Sequence, residues 1–269
     1  MHVERYLDRG SRALYHLLQV AAIVFCLAPA ALIFGLSFFR DVFTNFPPHE
    51  ITIGLYRELI HAHVWRHAVL VSFKLGVPTA LLVVLAVAPV VVALDRSRIR
   101  GRAAIEFAML LPLLMPVTGY AVALYIIYLK LHWVGDFGPL LLAEAVVASP
   151  VAFLVLRSAL ERIPRGLDFV AMSLGASRPR ALWDVSIHLL RPAMFVAALF
   201  ALVHVFDDVL YITFLGGPST VTVSKAIFDS IEYSLDPVVA ALSAVFMVFM
   251  AIVIVTATLM RGRARPGGF

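Results

Sequence analysis

Leu167–Pro192 reads LDFVAMSLGASRPRALWDVSIHLLRP, a stretch of helix-forming residues that carries Asp168, Arg178, Arg180, Asp184 and Arg191. It stands between two long apolar runs, 138–156 and 192–216. Apolar runs of about 18 residues or more cross a membrane as helices, so a polar segment between two of them lies outside the lipid. Within it, Asp168 to Leu174 is helix-compatible and Gly175 can end a helix in the left-handed conformation. Ser177 and Pro179 can begin another. The pattern predicts two short helices around a turn, the second with Leu182, Val185 and Leu189 on one apolar side and Arg178 and Asp184 elsewhere.

Outward from this segment the apolar runs number six, at about 13–39, 67–94, 104–129, 138–156, 192–216 and 237–260. Only 14% of the 269 residues are charged and 62% are hydrophobic, against roughly 25% charged in soluble domains. The mean hydropathy is +0.94. The chain therefore reads as an all-α integral membrane protein of six transmembrane helices, a single domain over 1–269 with the polar loop at about 157–191.

The basic residues set the orientation. With the N-terminus cytoplasmic, sixteen arginines fall inside: Arg5, Arg9 and Arg12, then Arg96, Arg98, Arg100 and Arg102, then Arg157, Arg162, Arg165, Arg178, Arg180 and Arg191, and last Arg261, Arg263 and Arg265. Five basic residues fall outside (Arg40, Arg57, Arg66, Lys130, Lys225), and Lys74 lies within a span, where it can snorkel. Both termini are expected in the cytoplasm. The basic balance then reflects topology, and nucleic acid is not an expected partner.

Several chemistries are excluded by pattern. No G-x-x-x-x-G-K-[ST], HExxH, GxSxG or CxxC motif occurs, so the chain is not expected to be an enzyme or to hydrolyse ATP. The single Cys26 allows no intrachain disulfide. His63 and His67 stand i,i+4 in a histidine-bearing outer loop, but two ligands do not make a structural site, and no metal is assigned. In that loop Leu55, Leu59 and Ile60 suggest a short amphipathic helix, while Pro112, Pro116 and Pro150 mark kinks in the third and fourth spans.

Ionisable residues inside a span cost at least about 2.5–3.5 kcal/mol on insertion scales and usually face a cavity or a partner. Glu144 in the fourth span is the foremost candidate for solute contact. Asp207 and Asp208 fall about two-thirds of the way out along the fifth span. As helical neighbours they would point about 100° apart, so either one faces the pathway while the other caps or pairs, or the pair makes a structural polar contact.

The polar loop resembles the EAA loop of the inner-membrane permeases of bacterial ABC importers. Its register is held by Ala171, Leu174, Gly175, Ala176, Val185 and Ile187; the family's glutamate position is Phe169 here and its proline position is His188. The segments FPP…LYRELI, LLPLLMPV and FDDVLYITFLGGPSTVTVSKAIFDSI…DPVVAALS look like the spermidine/putrescine-type branch. The most specific of these is Asp207–Asp208 followed by Ile212, Phe214, Gly217 and Pro218. This resemblance covers most of 13–260.

The resemblance implies the type I importer permease fold and a solute pathway worked by alternating access in the bacterial inner membrane. It implies that Phe169, Val170, Ala171, Ser173, Leu174, Gly175, Ala176, Ser177 and Arg178 form the loop that couples to the ATPase. The partners implied are a cytoplasmic ABC ATPase dimer holding ATP and Mg, a second and different permease chain, an external solute-binding protein and membrane lipid. This chain itself is expected to bind no cofactor. The cargo implied is a polyamine-like or related amine or aminophosphonate solute. The competing expectation is a secondary transporter driven by an ion gradient, which calls for an inverted repeat and broken helices near the midplane.

Overall fold

A computed structural model of the chain describes residues 2–41, 45, 47–97, 99–164, 166–233 and 236–263. Arg98, Arg165 and Arg265, and the side chains of Arg5, Arg9, Arg12, Arg261 and Arg263, lie outside the described residues. The elements in order are α1 (His2–Leu36), α2 (Gly54–His61), α3 (His63–Arg96), α4 (Arg102–Leu114), α5 (Val117–Leu131), α6 (Phe137–Leu160), α7 (Gly166–Ser173) and α8 (Arg178–Ala181). A π-helical segment (Leu182–Ile187) follows, then α9 (His188–Asp207), α10 (Leu210–Leu215), α11 (Val223–Tyr233) and α12 (Val238–Arg263). The expected all-helical class is what the structure shows. The chain divides into two compact units, Met1–Ala62 with Tyr233–Ile252, and His63–Glu232 with Val253–Phe269.

In the first unit, α1 presents a continuous apolar surface, with Phe25 81% exposed. The following loop is ordered by Asp41, whose carboxylate accepts the backbone N–H groups of His49 (3.0 Å) and Glu50 (3.1 Å) and the Asn45 amide (3.1 Å). The His49 N–H above all holds the Asp41 carboxyl below its ordinary range. Phe38 and Thr52 close the loop through a backbone hydrogen bond of 2.7 Å, and the Ser37 and Tyr56 hydroxyls meet at 2.6 Å. The amphipathic helix expected near Leu55–Ile60 is α2, with Leu55 buried and Ile60 exposed.

The second unit is built on α3, α6 and α9, which pack against one another. On α3 the buried residues Ala80, Val83, Val84, Val87, Ala88, Val91 and Val92 recur at helical spacing. On α6 and α9 the facing positions are small (Ala145, Ala148, Ala152, Ala197, Ala201), which lets helix backbones approach closely. Gly76 marks a close approach of α3 to α9: a Cβ there would stand 2.8 Å from Leu202 Cδ1. A second cluster joins α5 to α10 through Ala121, Tyr128, Tyr211 and Leu215.

Among the described residues four helices are long and apolar enough to cross a membrane, or five if the bent pair α4–α5 counts as one span. Two of the expected runs differ from straight helices. The run at 104–129 breaks at Met115–Pro116, where α4 and α5 meet at 102°. Pro116 forces Met115 into an extended conformation (ψ 141°) and starts α5 afresh. The run at 192–216 belongs to a helix that begins much earlier, since α8, the π-helical segment and α9 form one continuous rod over Arg178–Asp207. The second short helix expected in the polar loop is thus the first turn of this rod, and the loop ends at Ser177 and not near 191. The run at 237–260 falls in α12, of which Val238–Ile252 is a shorter apolar helix.

Two loops lock together beside this unit. α5 ends at His132, a left-handed non-glycine residue (φ 56°), with the Trp133 N–H bonded back to the Tyr128 carbonyl at 2.9 Å. Gly135 (φ 89°) then meets Gly217 backbone to backbone, so that a Cβ on Gly217 would lie 3.2 Å from Gly135 Cα. That approach is what the GGP of the sequence serves.

Candidate functional site

α7 and the turn after it occupy the predicted coupling segment. The Gly175 N–H donates to the Met172 carbonyl (3.0 Å) and the Ala176 N–H to the Ala171 carbonyl (3.1 Å), with Gly175 at φ 93°. These two bonds are the Schellman closure of a helix, which calls for glycine at the left-handed position. Ser177, extended at ψ 153°, leads into α8 with Pro179 in its first turn. The Ser177 side chain makes no capping bond. Ser173 Oγ donates to the Phe169 carbonyl (3.0 Å).

The turn presents an apolar surface. Phe169, Val170 and Leu174 are 66%, 57% and 84% exposed, and Trp183 at the start of the rod is exposed as well. Soluble surfaces scatter such residues singly; a contiguous group of them marks an interaction site. Ala171 and Ala176 are half-buried, while Ser173, Ser177 and Arg178 are exposed. The Arg178 guanidinium reaches back to the Arg96 carbonyl (3.3 Å) and Ser97 Oγ (3.2 Å). Beside the turn opens a cleft of about 880 Å³, lined among others by Arg96, Ser97, Arg102, Phe169, Met172 and Arg178.

The charges expected along the solute pathway separate. Asp207 ends α9 and is exposed. Asp208 is not a helical neighbour on a continuing span: its backbone is extended (ψ 131°), and its buried carboxylate accepts the Ile212 N–H at 3.2 Å, capping α10. The pair therefore sits at a helix break, not within the fifth span. Glu144 on α6 is wholly buried, with Oε2 3.6 Å from His204 Nε2 of α9. Asp208, four residues after His204, is buried as well. Among the described residues no N–H or hydroxyl reaches either Glu144 oxygen. Two carboxyls and an imidazole thus share one apolar enclosure, an arrangement that calls for a compensating positive charge or proton.

His204 was not legible as Glu144's partner, because the two are sixty positions apart; the one clue in the sequence is His204 standing i,i−4 to Asp208. Of the other charges, Lys74 is exposed, and Glu106 pairs with Arg102 (2.7 Å) and Arg157 (2.8 Å). His63 and His67 stack at 6.0 Å, and among the described residues no three metal-ligating side chains converge.

The class of protein follows from comparison with known families. Residues 85–265 match the family described as the binding-protein-dependent transport system inner membrane component, and the chain belongs to that family. It is 26% identical over 205 residues to the putrescine transport system permease protein PotI of Escherichia coli (strain K12), covering 74% of this chain and 73% of that protein. It is 29% identical over 212 residues to the sulfoquinovosyl glycerol transport system permease protein SmoH of Agrobacterium fabrum (strain C58), covering 77% and 74%. The fold matches the crystal structure of a bacterial alginate ABC transporter in complex with an alginate pentasaccharide-bound periplasmic protein. There the TM-score is 0.71 at 17% identity, over 95% of this chain and 96% of that one. The chain is a multi-pass permease subunit of an ABC importer and not an enzyme. The ion-gradient alternative is set aside by this membership.

Proposed function

We propose that this permease docks an ABC ATPase dimer on the α7 turn and forms, with a second and different permease chain, the pathway for a small organic amine delivered by an external binding protein. The observation that carries the docking reading is the exposed apolar group Phe169, Val170 and Leu174 on a helix closed by Gly175. A helix held out in this way has nothing of its own to bury that face against. ATP and Mg²⁺ act on the partner ATPase; this chain supplies the surface that receives the motion. The excess of arginines at the α7 end supports placing that end, and both termini, in the cytoplasm of a bacterial inner membrane.

The cargo reading rests on Glu144 and Asp208, with the aromatic pair Tyr120–Tyr211 (ring centroids 6.2 Å) in the same unit. Carboxylates with aromatic faces suit a cationic amine. The enclosure is shut in this structure, so solute reaches Glu144 only when α6 and α9 part. Similarity to PotI supports this class, as does the spermidine/putrescine transport system permease protein PotC of Escherichia coli (strain K12), 24% identical over 168 residues.

The test is a cross-link in membranes. With Cys26→Ser as background, Leu174→Cys should capture a soluble P-loop ATPase, with a yield that changes on adding ATP. An assembled complex in which Leu174→Cys never meets an ATPase refutes the docking surface.

A further inference from the structure

α7 inverts the usual pattern of an amphipathic helix. Its apolar residues face out, and its one buried residue is the carboxylate Asp168. Eight residues are too few to hold a helix by themselves, so α7 depends on its contacts with the rest of the chain, Asp168 among them. Three elements converge there. Arg96, the last residue of α3, has a buried side chain and places Nε 3.1 Å from Asp168 Oδ2. Ser186, wholly buried in the π-helical segment, donates its hydroxyl across both carboxylate oxygens at 2.9 and 3.1 Å. Arg96 also donates from Nη2 to the Ile163 carbonyl at 3.0 Å, which fixes the chain just ahead of α7.

We propose that Asp168, gripped by Arg96 and Ser186, is the positioning residue that joins the coupling helix to α3 and α9, so that a push on the α7 turn moves those two helices together. This rests on the docking reading above and adds to it the contact inside the chain through which the push is passed on. Asp168 and Phe169 are adjacent on a helix and so point about 100° apart. The carboxylate therefore faces into the chain while the phenyl ring faces out. The position where the family carries glutamate is apolar here, and the helix's acidic group stands one residue earlier, turned inward. A buried ion pair adds little net stability but holds a fixed geometry, and removing one partner leaves a buried charge uncompensated. A joint between moving parts needs that property. The π-helical segment contributes by placing Ser186 on the side of the rod that faces α7, and such segments recur at functional sites.

The experiment uses the whole importer, reconstituted in lipid with its ATPase, second permease and binding protein, with uptake and ATP hydrolysis measured together. Asp168→Asn leaves Phe169, Val170 and Leu174 untouched, so the ATPase should still co-purify. Solute moved per ATP hydrolysed should fall at least about tenfold, a lower bound well inside the cost of breaking a buried pair. The charge-reversed double variant Arg96→Asp/Asp168→Arg should recover part of that ratio relative to either single change. An unchanged ratio in Asp168→Asn overturns the joint. Should Asp168→Asn not accumulate in membranes, Ser186→Ala keeps the ion pair and loses only the hydroxyl. A reduced ratio there supports the joint, and an unchanged one overturns it. Failure of the unmodified chain to hold any ATPase overturns the docking reading itself, which is a different result from a variant that binds ATPase and still transports in full.

Discussion

Replacing Gly175 tests the coupling turn through the backbone alone. A Cβ at Gly175 meets no atom within 4 Å, so alanine introduces no clash and the whole effect comes from φ at 93°. The left-handed well of an L-residue is centred near about +57°, and holding a non-glycine residue on the left-handed side costs roughly 1–2 kcal/mol. α7 is a short helix with most of its apolar surface exposed, so it has little other stability to absorb that cost. One to two kcal/mol shifts a two-state ratio by a factor of about 5–30. ATP-driven uptake by Gly175→Ala should fall within that range, while the amount of protein in the membrane stays constant. Proline locks φ at about −65° and removes the N–H, which abolishes the bond to the Met172 carbonyl, so Gly175→Pro should reduce uptake to background. The assay is labelled-solute uptake into vesicles, normalised to permease by immunoblot. Full uptake by Gly175→Pro would refute the argument that this turn carries coupling.

Three other outcomes follow from the same structure. Glu144→Gln should raise the KM for a diamine cargo by about tenfold or more, since a charge-assisted contact is worth about 1.5–3 kcal/mol; an unchanged KM at unchanged complex yield would remove Glu144 from the pathway. Gly76→Val should lower the thermal midpoint of the purified complex, because the new side chain enters where Leu202 already stands 2.8 Å from a bare Cβ. Over-packing of this kind costs about 1–3 kcal/mol. The order that Asp41 gives its loop should be complete at neutral pH and lost under strong acid. Its carboxyl is held low in the folded chain by the His49 N–H, so its contribution exists above the unfolded value and disappears as pH falls through the lower folded one. Hydrogen exchange at His49 and Glu50 reports this directly, and Asp41→Ala should show fast exchange at every pH.

The long apolar runs at 67–94 and 138–156 were legible in the sequence because hydropathy over twenty residues leaves no alternative to a buried helix. What periodicity does not carry is direction. Pro112 and Pro116 announced a disturbance, yet Pro112 sits inside α4 and only Pro116 breaks the chain. Asp207 and Asp208 lie in a sequence that propensity continues as helix. Capping of α10 by the Asp208 carboxylate, a contact four residues ahead, outweighs that propensity and turns the chain. Gly175 was readable, since a glycine after the helix-compatible stretch Asp168–Leu174 has one common use. Asp168 was not, because eight residues hold too few turns to show which face is buried. Its partners Arg96 and Ser186 are far away in sequence, and only the folded chain brings the three together.

The unbroken rod Arg178–Asp207 contains 30 residues, which at 1.5 Å each makes about 45 Å. The hydrocarbon layer is about 30 Å thick, and even a tilt of about 40° leaves the rod spanning roughly 34 Å along the membrane normal. Up to that tilt at least one end of the rod is held beyond the oily layer, and Arg178 and Arg180 suit the first turn to be that end.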